Sequence, residues 1–230
     1  MNILAIDTST NVATVSLQVE NTLYTQNIND TQTHSQKLLP LITEILNNHN
    51  LKIKDIDKYI CGNGPGSFTG IRIGASTVKA LAQVTNKKIF GVSTLDALAY
   101  NEVIPNKYIC SLIDARNNNA YYCIYKANED NTITYLSAHS TASIEEIVEK
   151  LNELPEKPTI VGSGAIAYKE ILLQNNYTIS ENNEVSAEKL ILMYNSFDKV
   201  DKEFIEKNTF TCHSFKPIYL RPSQAERLKK

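Results

Sequence analysis

The chain holds 230 residues, of which 42% are hydrophobic and 21% charged, and its formal net charge is −2. That composition suits one large globular domain or two lobes of about a hundred residues each, and it excludes a fibrous or disordered chain. A pI near 6.1 carries no nucleic-acid footprint beyond a short basic tail at Arg221, Arg227, Lys229 and Lys230, and no apolar run reaches the length of a membrane span.

Residues 2–7 read as a buried strand, 12–19 alternate through Val15, Leu17 and Val19, and 22–28 add a third strand, so the chain opens on an antiparallel meander. The opening residues carry neither a basic leader nor a small-residue cleavage site. From Ser35 the apolar positions Leu38, Ile42, Ile45, Leu46 and His49 follow helical spacing, with Pro40 early enough to be tolerated. A strand at 57–61 feeds a glycine-rich stretch, a helix at 71–86 follows, and a strand at 88–92 and a helix at 94–101 complete a first half of pattern βββαβαβα. Pro105 and Asn106 join two lobes. The second half repeats the grammar: strands at 107–113, 120–126 and 132–136, a helix opened by Ser143 with Glu146 in capping-box register, a strand at 159–162, and a helix capped by Ser186 that carries Leu190, Ile191, Met193 and Tyr194. Asp7 and Asp114 each end a lobe's first strand, where a carboxylate bonds nearby backbone N–H groups. The repeat implies an α/β, duplicated actin-like ATPase (ASKHA, RNase H-like) fold with two lobes of βββαβα type. The expected boundaries are 1–103 for the N-terminal lobe, with 217–230 packing back on it, and 104–216 for the C-terminal lobe.

The segment 61–74 concentrates five of the eight glycines. Glycine loses the most conformational freedom on folding, so this density requires positive φ angles or close approach to the main chain. A P-loop needs Gly-Lys-Ser/Thr, but Gly70 is followed by Ile71 and the next lysine is Lys79; a dinucleotide fingerprint fails at Thr69, where a third glycine belongs. Tight strand-to-helix packing and the reception of a partner both remain open for this loop. The following helix leaves little polar face through Ile71, Ile73, Gly74, Ala75, Val78, Ala80, Leu81, Ala82 and Val84, so it is expected to be buried nearly all round, inside the lobe or against another subunit. Arg72 sits at the unfavourable end of the helix dipole and calls for an acidic partner.

Cys61, Cys110, Cys123 and Cys212 form no CxxC pair and read as buried thiols of a reducing cytoplasm; His34, His49, His139 and His213 show no metal-ligand spacing. His34 reads as a capping or surface residue. The turns after Asp7 and Asp114 lack the glycine that lets a backbone approach a phosphate, and Arg116 brings a cation there. Gly162-Ser163-Gly164 marks a second strand-to-helix turn without specifying a ligand.

The opening Ile-Leu-Ala-Ile-Asp-Thr-Ser-Thr, the stretch Gly-Pro-Gly-Ser-Phe-Thr-Gly-Ile-Arg-Ile-Gly, Gly91–Leu95, Asp114-Ala115-Arg116 and Pro217–Pro222 together resemble the TsaB (YeaZ) family from end to end. Asn117–Asn119 stands where that family often has charged residues. The resemblance implies a non-catalytic, cytoplasmic, glycoprotease-like subunit of the machinery that makes N6-threonylcarbamoyladenosine in tRNAs reading ANN codons. It implies a heterodimer with a TsaD-like catalytic subunit that this chain activates, a TsaE-like ATPase as third protein, tRNA met only through the complex, and self-association when the partner is absent. Catalytic residues, metal and cofactor are all expected to be none. The candidate partner interface is Gly64, Gly66, Thr69, Gly70, Arg72, Gly74, Ala75, Ser76, Lys79 and Ala80. The competing class is an enzyme of the same fold, a metallopeptidase or a small-molecule kinase.

Overall fold

The computed structural model describes residues 1–28 and 34–221. Contacts divide the described residues into a first unit of Met1–Ala97 with Val185–Ile218, and a second of Leu98–Glu184 with the described residues from Tyr219 to Arg221. The first unit opens with β1 (Ile3–Asp7), β2 (Ala13–Val19) and β3 (Thr22–Ile28), an antiparallel meander. Helix α1 (His34–Asn48), β4 (Lys58–Gly62), α2 (Phe68–Thr85) and β5 (Ile89–Val92) follow, with β4 parallel to both β1 and β5. A short helix, α3 (Thr94–Ala99), comes next.

The second unit repeats the order. β6 (Tyr108–Asp114), β7 (Asn119–Ala127) and β8 (Ile133–Tyr135) form its meander, β9 (Ser140–Ser143) pairs with β7, and α4 (Ile144–Asn152) starts from the expected capping box of Ser143 and Glu146. Then come β10 (Thr159–Val161), α5 (Ser163–Ala167), α6 (Lys169–Gln174) and β11 (Thr178–Ile179). The chain returns to the first unit as α7 (Ala187–Val200), α8 (Lys202–Lys207) and β12 (Thr209–Phe210). The sheets run β12-β5-β4-β1-β2-β3 and β11-β10-β6-β7-β8. Each therefore lays a meander beside parallel strands brought in over helices, the duplicated actin-like architecture that the sequence repeat implies.

In the first unit Leu4, Ile6, Val15 and Leu17 pack with Leu38, Ile42 and Ile45 of α1 and with Ala75, Val78 and Ala82 of α2. The alternate residues of β2 are polar, yet Thr14, Ser16 and Gln18 are buried as well. Helix α7 packs against β1, β2 and β4. Thr14 Oγ1 accepts from Ala187 N at 3.2 Å, and Gln18 Oε1 accepts from Asn195 Nδ2 at 2.7 Å. These bonds repay the desolvation of polar groups that would otherwise cost more than their burial gains. The same packing corrects the expected lobe boundary at 104–216: residues from Val185 to Ile218 belong with the first unit, because α7 is the cover of its sheet. Of the segment 217–230, Pro217 and Ile218 lie in the first unit and Tyr219, Leu220 and Arg221 in the second; residues 222–230, with Arg227, Lys229 and Lys230, lie outside the described residues.

Other differences are local. Helix α2 starts at Phe68 rather than Ile71, since Ser67 caps it by accepting from Gly70 N, so Gly70 is a helical residue. His34 is buried at 3% exposure beside Asn11 O, at 3.2 Å from Nε2, where a surface or capping histidine was expected. Cys61, Cys110 and Cys123 are buried thiols as expected, and Cys212 is partly so.

Candidate functional site

The glycine-rich segment wraps the end of β1. A Cβ built on Gly62 would stand 1.7 Å from Asp7 Oδ2, one on Gly66 2.3 Å from the Ser9 carbonyl oxygen, and one on Gly70 2.0 Å from the Thr8 carbonyl oxygen. Gly64, at φ 104°, adopts a backbone that side chains resist, and its peptide to Pro65 is cis. Hydrogen bonds draw the two segments together. Ser67 N donates to Ser9 O at 2.7 Å, and Thr94 N donates to Gly64 O at 2.9 Å.

Thr8, only 1% exposed, reaches inside α2. Its hydroxyl donates to Gly70 O at 2.6 Å and accepts from Gly74 N at 3.0 Å, standing between the two groups that an α-helix would join as i and i+4. A Cβ on Gly74 would be 2.5 Å from that hydroxyl. The sequence shows five glycines and a Thr-Ser-Thr run; the structure shows that they are two halves of one joint.

Asp7 sits under this joint, fully buried. Its Oδ1 accepts from Ser9 N at 2.8 Å and from Ser9 Oγ at 2.6 Å, and Ser9 Oγ in turn accepts from Thr94 Oγ1 at 3.0 Å. Asp7 Oδ2 and Asn63 Oδ1 are buried without a hydrogen-bond partner among the described residues. Burial raises the Asp7 carboxyl above its ordinary range, and the two bonds from Ser9 only partly oppose that. The Cys61 thiol is raised too, by burial first and by Asp7 second. Asp7 is thus a strand-end turn residue, as read from sequence, locked in an enclosed hydroxyl network. The space that a phosphate loop would leave open is filled by the chain's own Thr8, Ser9 and Thr94.

The opposite side of α2 faces outward. Thr69, Arg72, Ser76 and Ala80 are exposed, and Val84 is 81% exposed. Within the unit the helix is therefore not buried all round: the small residues Gly70, Gly74 and Ala75 face the unit's own core, and a second stripe is left at the surface, so of the two expected kinds of burial the lobe supplies only one side. The ten candidate residues therefore split. Gly64, Gly70, Gly74 and Ala75 are buried within the unit, Gly66 and Lys79 are half-buried with Lys79 Nζ donating to Phe215 O at 3.3 Å, and Thr69, Arg72, Ser76 and Ala80 share the outer stripe. The Arg72 guanidinium lies 4.2 Å from the centroid of the Phe68 ring, one turn earlier, a cation–π contact that helps to hold it.

In the second unit Asp114 repeats the turn of Asp7: its Oδ1 accepts from Arg116 N at 2.8 Å, and its N donates to Ser163 Oγ at 3.2 Å. Here the tip is exposed. Arg116, Asn117 and Asn118 all have φ between 54° and 63°, the left-handed region that asparagine tolerates best. Asn118 Nδ2 donates to both oxygens of Glu145, and Arg221 Nη1 donates to Ala115 O at 3.1 Å. Tyr168, which donates to Asp114 at 3.1 Å, is pushed up to about 12 by burial and then by that carboxylate. The run Asn117–Asn119 thus serves the turn: Asn117 and Asn118 take up its left-handed backbone, and Asn119 Nδ2 donates to Asn117 O. Among the described residues no group of three His, Cys, Asp or Glu side chains could hold a metal, and no helix is long and apolar enough to cross a membrane.

Comparison with known proteins places these features in a lineage. A family model described as TsaD: tRNA N6-adenosine threonylcarbamoyltransferase matches residues 25–225. A protein of Buchnera aphidicola (subsp. Schizaphis graminum), named tRNA threonylcarbamoyladenosine biosynthesis protein TsaB, is 30% identical over 215 residues, 93% of this chain and 98% of that protein. Its namesake in Escherichia coli K12 is 28% identical over 229 residues, covering 98% and 96%. A Pseudomonas aeruginosa crystal structure, described as an uncharacterized protein with similarity to peptidase YEAZ, superposes with a TM-score of 0.81 at 24% identity, over 96% of this chain and 99% of that one, and so shares the fold.

Proposed function

The chain belongs to the TsaB family, itself within the reach of the TsaD family model, and from that premise we propose that it is the non-catalytic, activating subunit of a threonylcarbamoyl transferase complex. The complex makes N6-threonylcarbamoyladenosine in tRNAs reading ANN codons. The chain binds and activates a TsaD-like catalytic subunit, works with a TsaE-like ATPase, and meets tRNA through the complex in the cytoplasm. The observation that carries this reading is the closed joint at Asp7. In a kinase of this fold the turn after the first strand must admit a nucleotide phosphate and a metal, whereas here Thr8 and Ser9 are each 1% exposed and pinned to α2 and its loop.

What the joint leaves at the surface of the unit is the outer stripe of α2. Thr69, Ser76 and Ala80 are small enough for a partner helix to approach closely, with Arg72 as a charged edge. The same stripe serves self-association when the partner is absent. The test is omission: a reconstituted mixture of TsaD-like and TsaE-like proteins, tRNA, threonylcarbamoyl-adenylate and ATP should modify tRNA only when this chain is added. Full-rate modification without it, or submicromolar tRNA binding by this chain alone in physiological salt, would overturn the assignment.

A further inference from the structure

The first sheet has a second end, opposite Asp7, where β4 and β5 begin. Lys58 opens β4 beside Ile3, and because Tyr59 stands across from Ile89, Lys88 falls next to Lys58 on the neighbouring strand. Tyr59 N donates to Lys88 O at 3.4 Å, which fixes that adjacency. Both lysines line an open surface cleft of about 450 Å³ together with Ile205, Glu206 and Thr209.

We propose that this cleft is an anion site that takes a phosphate group, held by the ammonium groups of Lys58 and Lys88. Two like charges on adjacent strands facing one cavity repel each other unless something of opposite sign sits between them. The Lys58 ammonium is disfavoured by burial first; Asp198 supports it, while Lys202 and Lys88 both oppose it. Lys202 itself takes up Asp198 at 3.2 Å. Asp198, which also acts on Tyr194, and Glu206 on the cleft wall both weaken an anion there, and Glu206 is the one that lines the cleft. Lys58 Nζ spends one donor on Tyr194 Oη at 2.5 Å and lies 4.3 Å from the centre of that ring, so its position is fixed while two N–H donors remain for a ligand. Thr209 Oγ1 donates to Ile205 O at 2.7 Å and only borders the site. Lysine is a compact point charge suited to a phosphate oxygen.

The experiment is calorimetric titration of the purified chain with inorganic phosphate and, separately, with glycerol 3-phosphate, at ionic strength held constant with chloride. Saturable binding of at least one probe is expected. It should weaken about tenfold in Lys88→Gln, the loss of one charge-assisted bond, and tighten in Glu206→Gln. Lys88 is exposed, so its variant keeps the fold, and Lys58→Gln, checked by thermal melting, is the second arm. Tighter binding of glycerol 3-phosphate would assign the site to an organic phosphate, and equal or weaker binding to the free ion. Absence of saturable binding to both probes, equal affinity in Lys88→Gln, or unchanged affinity in Glu206→Gln would overturn the proposal.

Discussion

Replacing Thr8 by valine tests the joint between β1 and α2 with almost no change of shape. Valine keeps the branched Cβ but puts a methyl where the hydroxyl bridges Gly70 O and Gly74 N at 2.6 and 3.0 Å. Both backbone groups then lose their partner in a site 1% exposed at Thr8. A buried polar group left unsatisfied costs about 1–3 kcal/mol, and partial reclosure of the helix bond recovers some of that, so a net loss of about 2 kcal/mol is expected. For a chain of this size each kcal/mol moves the midpoint by roughly 2–4 °C, which gives a fall of about 4–8 °C. The chain has no tryptophan, so far-UV circular dichroism is the suitable probe, with Thr8→Ser as the control that retains the hydroxyl. Hydrogen exchange at the Gly74 amide should quicken in the valine variant. A Thr8→Val midpoint equal to that of the native chain would refute the reasoning, since it would mean that Gly70 and Gly74 close on each other without loss.

Three further outcomes are expected. Ala80→Glu, placed on the outer stripe of α2, should leave the melting curve unchanged and abolish co-sedimentation with a TsaD-like partner, because a carboxylate has no room in a small-residue contact; an intact complex would move the contact elsewhere. Gly70→Ala should lower the urea midpoint by an amount worth about 1–3 kcal/mol or more, the usual cost of overpacking, since its Cβ meets a backbone oxygen at 2.0 Å; an unchanged midpoint would contradict the geometry. Asp7 has a folded-state pKa raised by burial, so its contribution to stability is greatest in acid and is lost as pH rises from the unfolded value of about 4 through the folded one. Urea titrations at a series of pH values should accordingly show a shallower decline for Asp7→Asn than for the native chain, and parallel curves would show that the carboxyl does not carry this penalty.

Periodicity made most of the helices and long strands readable, and so did the Asx turn chemistry of Asp7 and Asp114. Short elements were not: β9 has four residues, β11 and β12 two each, too few for any period to register. The alternation of Val15, Leu17 and Val19 did not say what covers Thr14, Ser16 and Gln18, because nothing local announces that a helix 173 residues later donates to Thr14. The glycines announced a close approach without saying to what, since Thr8 bonds Gly70 across 62 positions. Helix α2 was legible only in part: its sequence is apolar on nearly all sides, and only the packing shows which side the unit uses and which it leaves at the surface.

The discontinuity of the first unit sets an order on biosynthesis. Its meander, α1 and α2 emerge early, but the helix that covers the buried polar row of β2, the strand that extends β5 and the core residue Phe215 arrive only after residues 98–184 have been made. At bacterial elongation rates that gap lasts on the order of ten seconds. During it Thr14, Ser16 and Gln18 turn toward water, which tolerates them, while Ile3, Ala5, Ile60 and Phe90 on the same face wait for the helix that will bury them. The polar row of β2 therefore narrows, without removing, the apolar surface that stays uncovered until the chain returns.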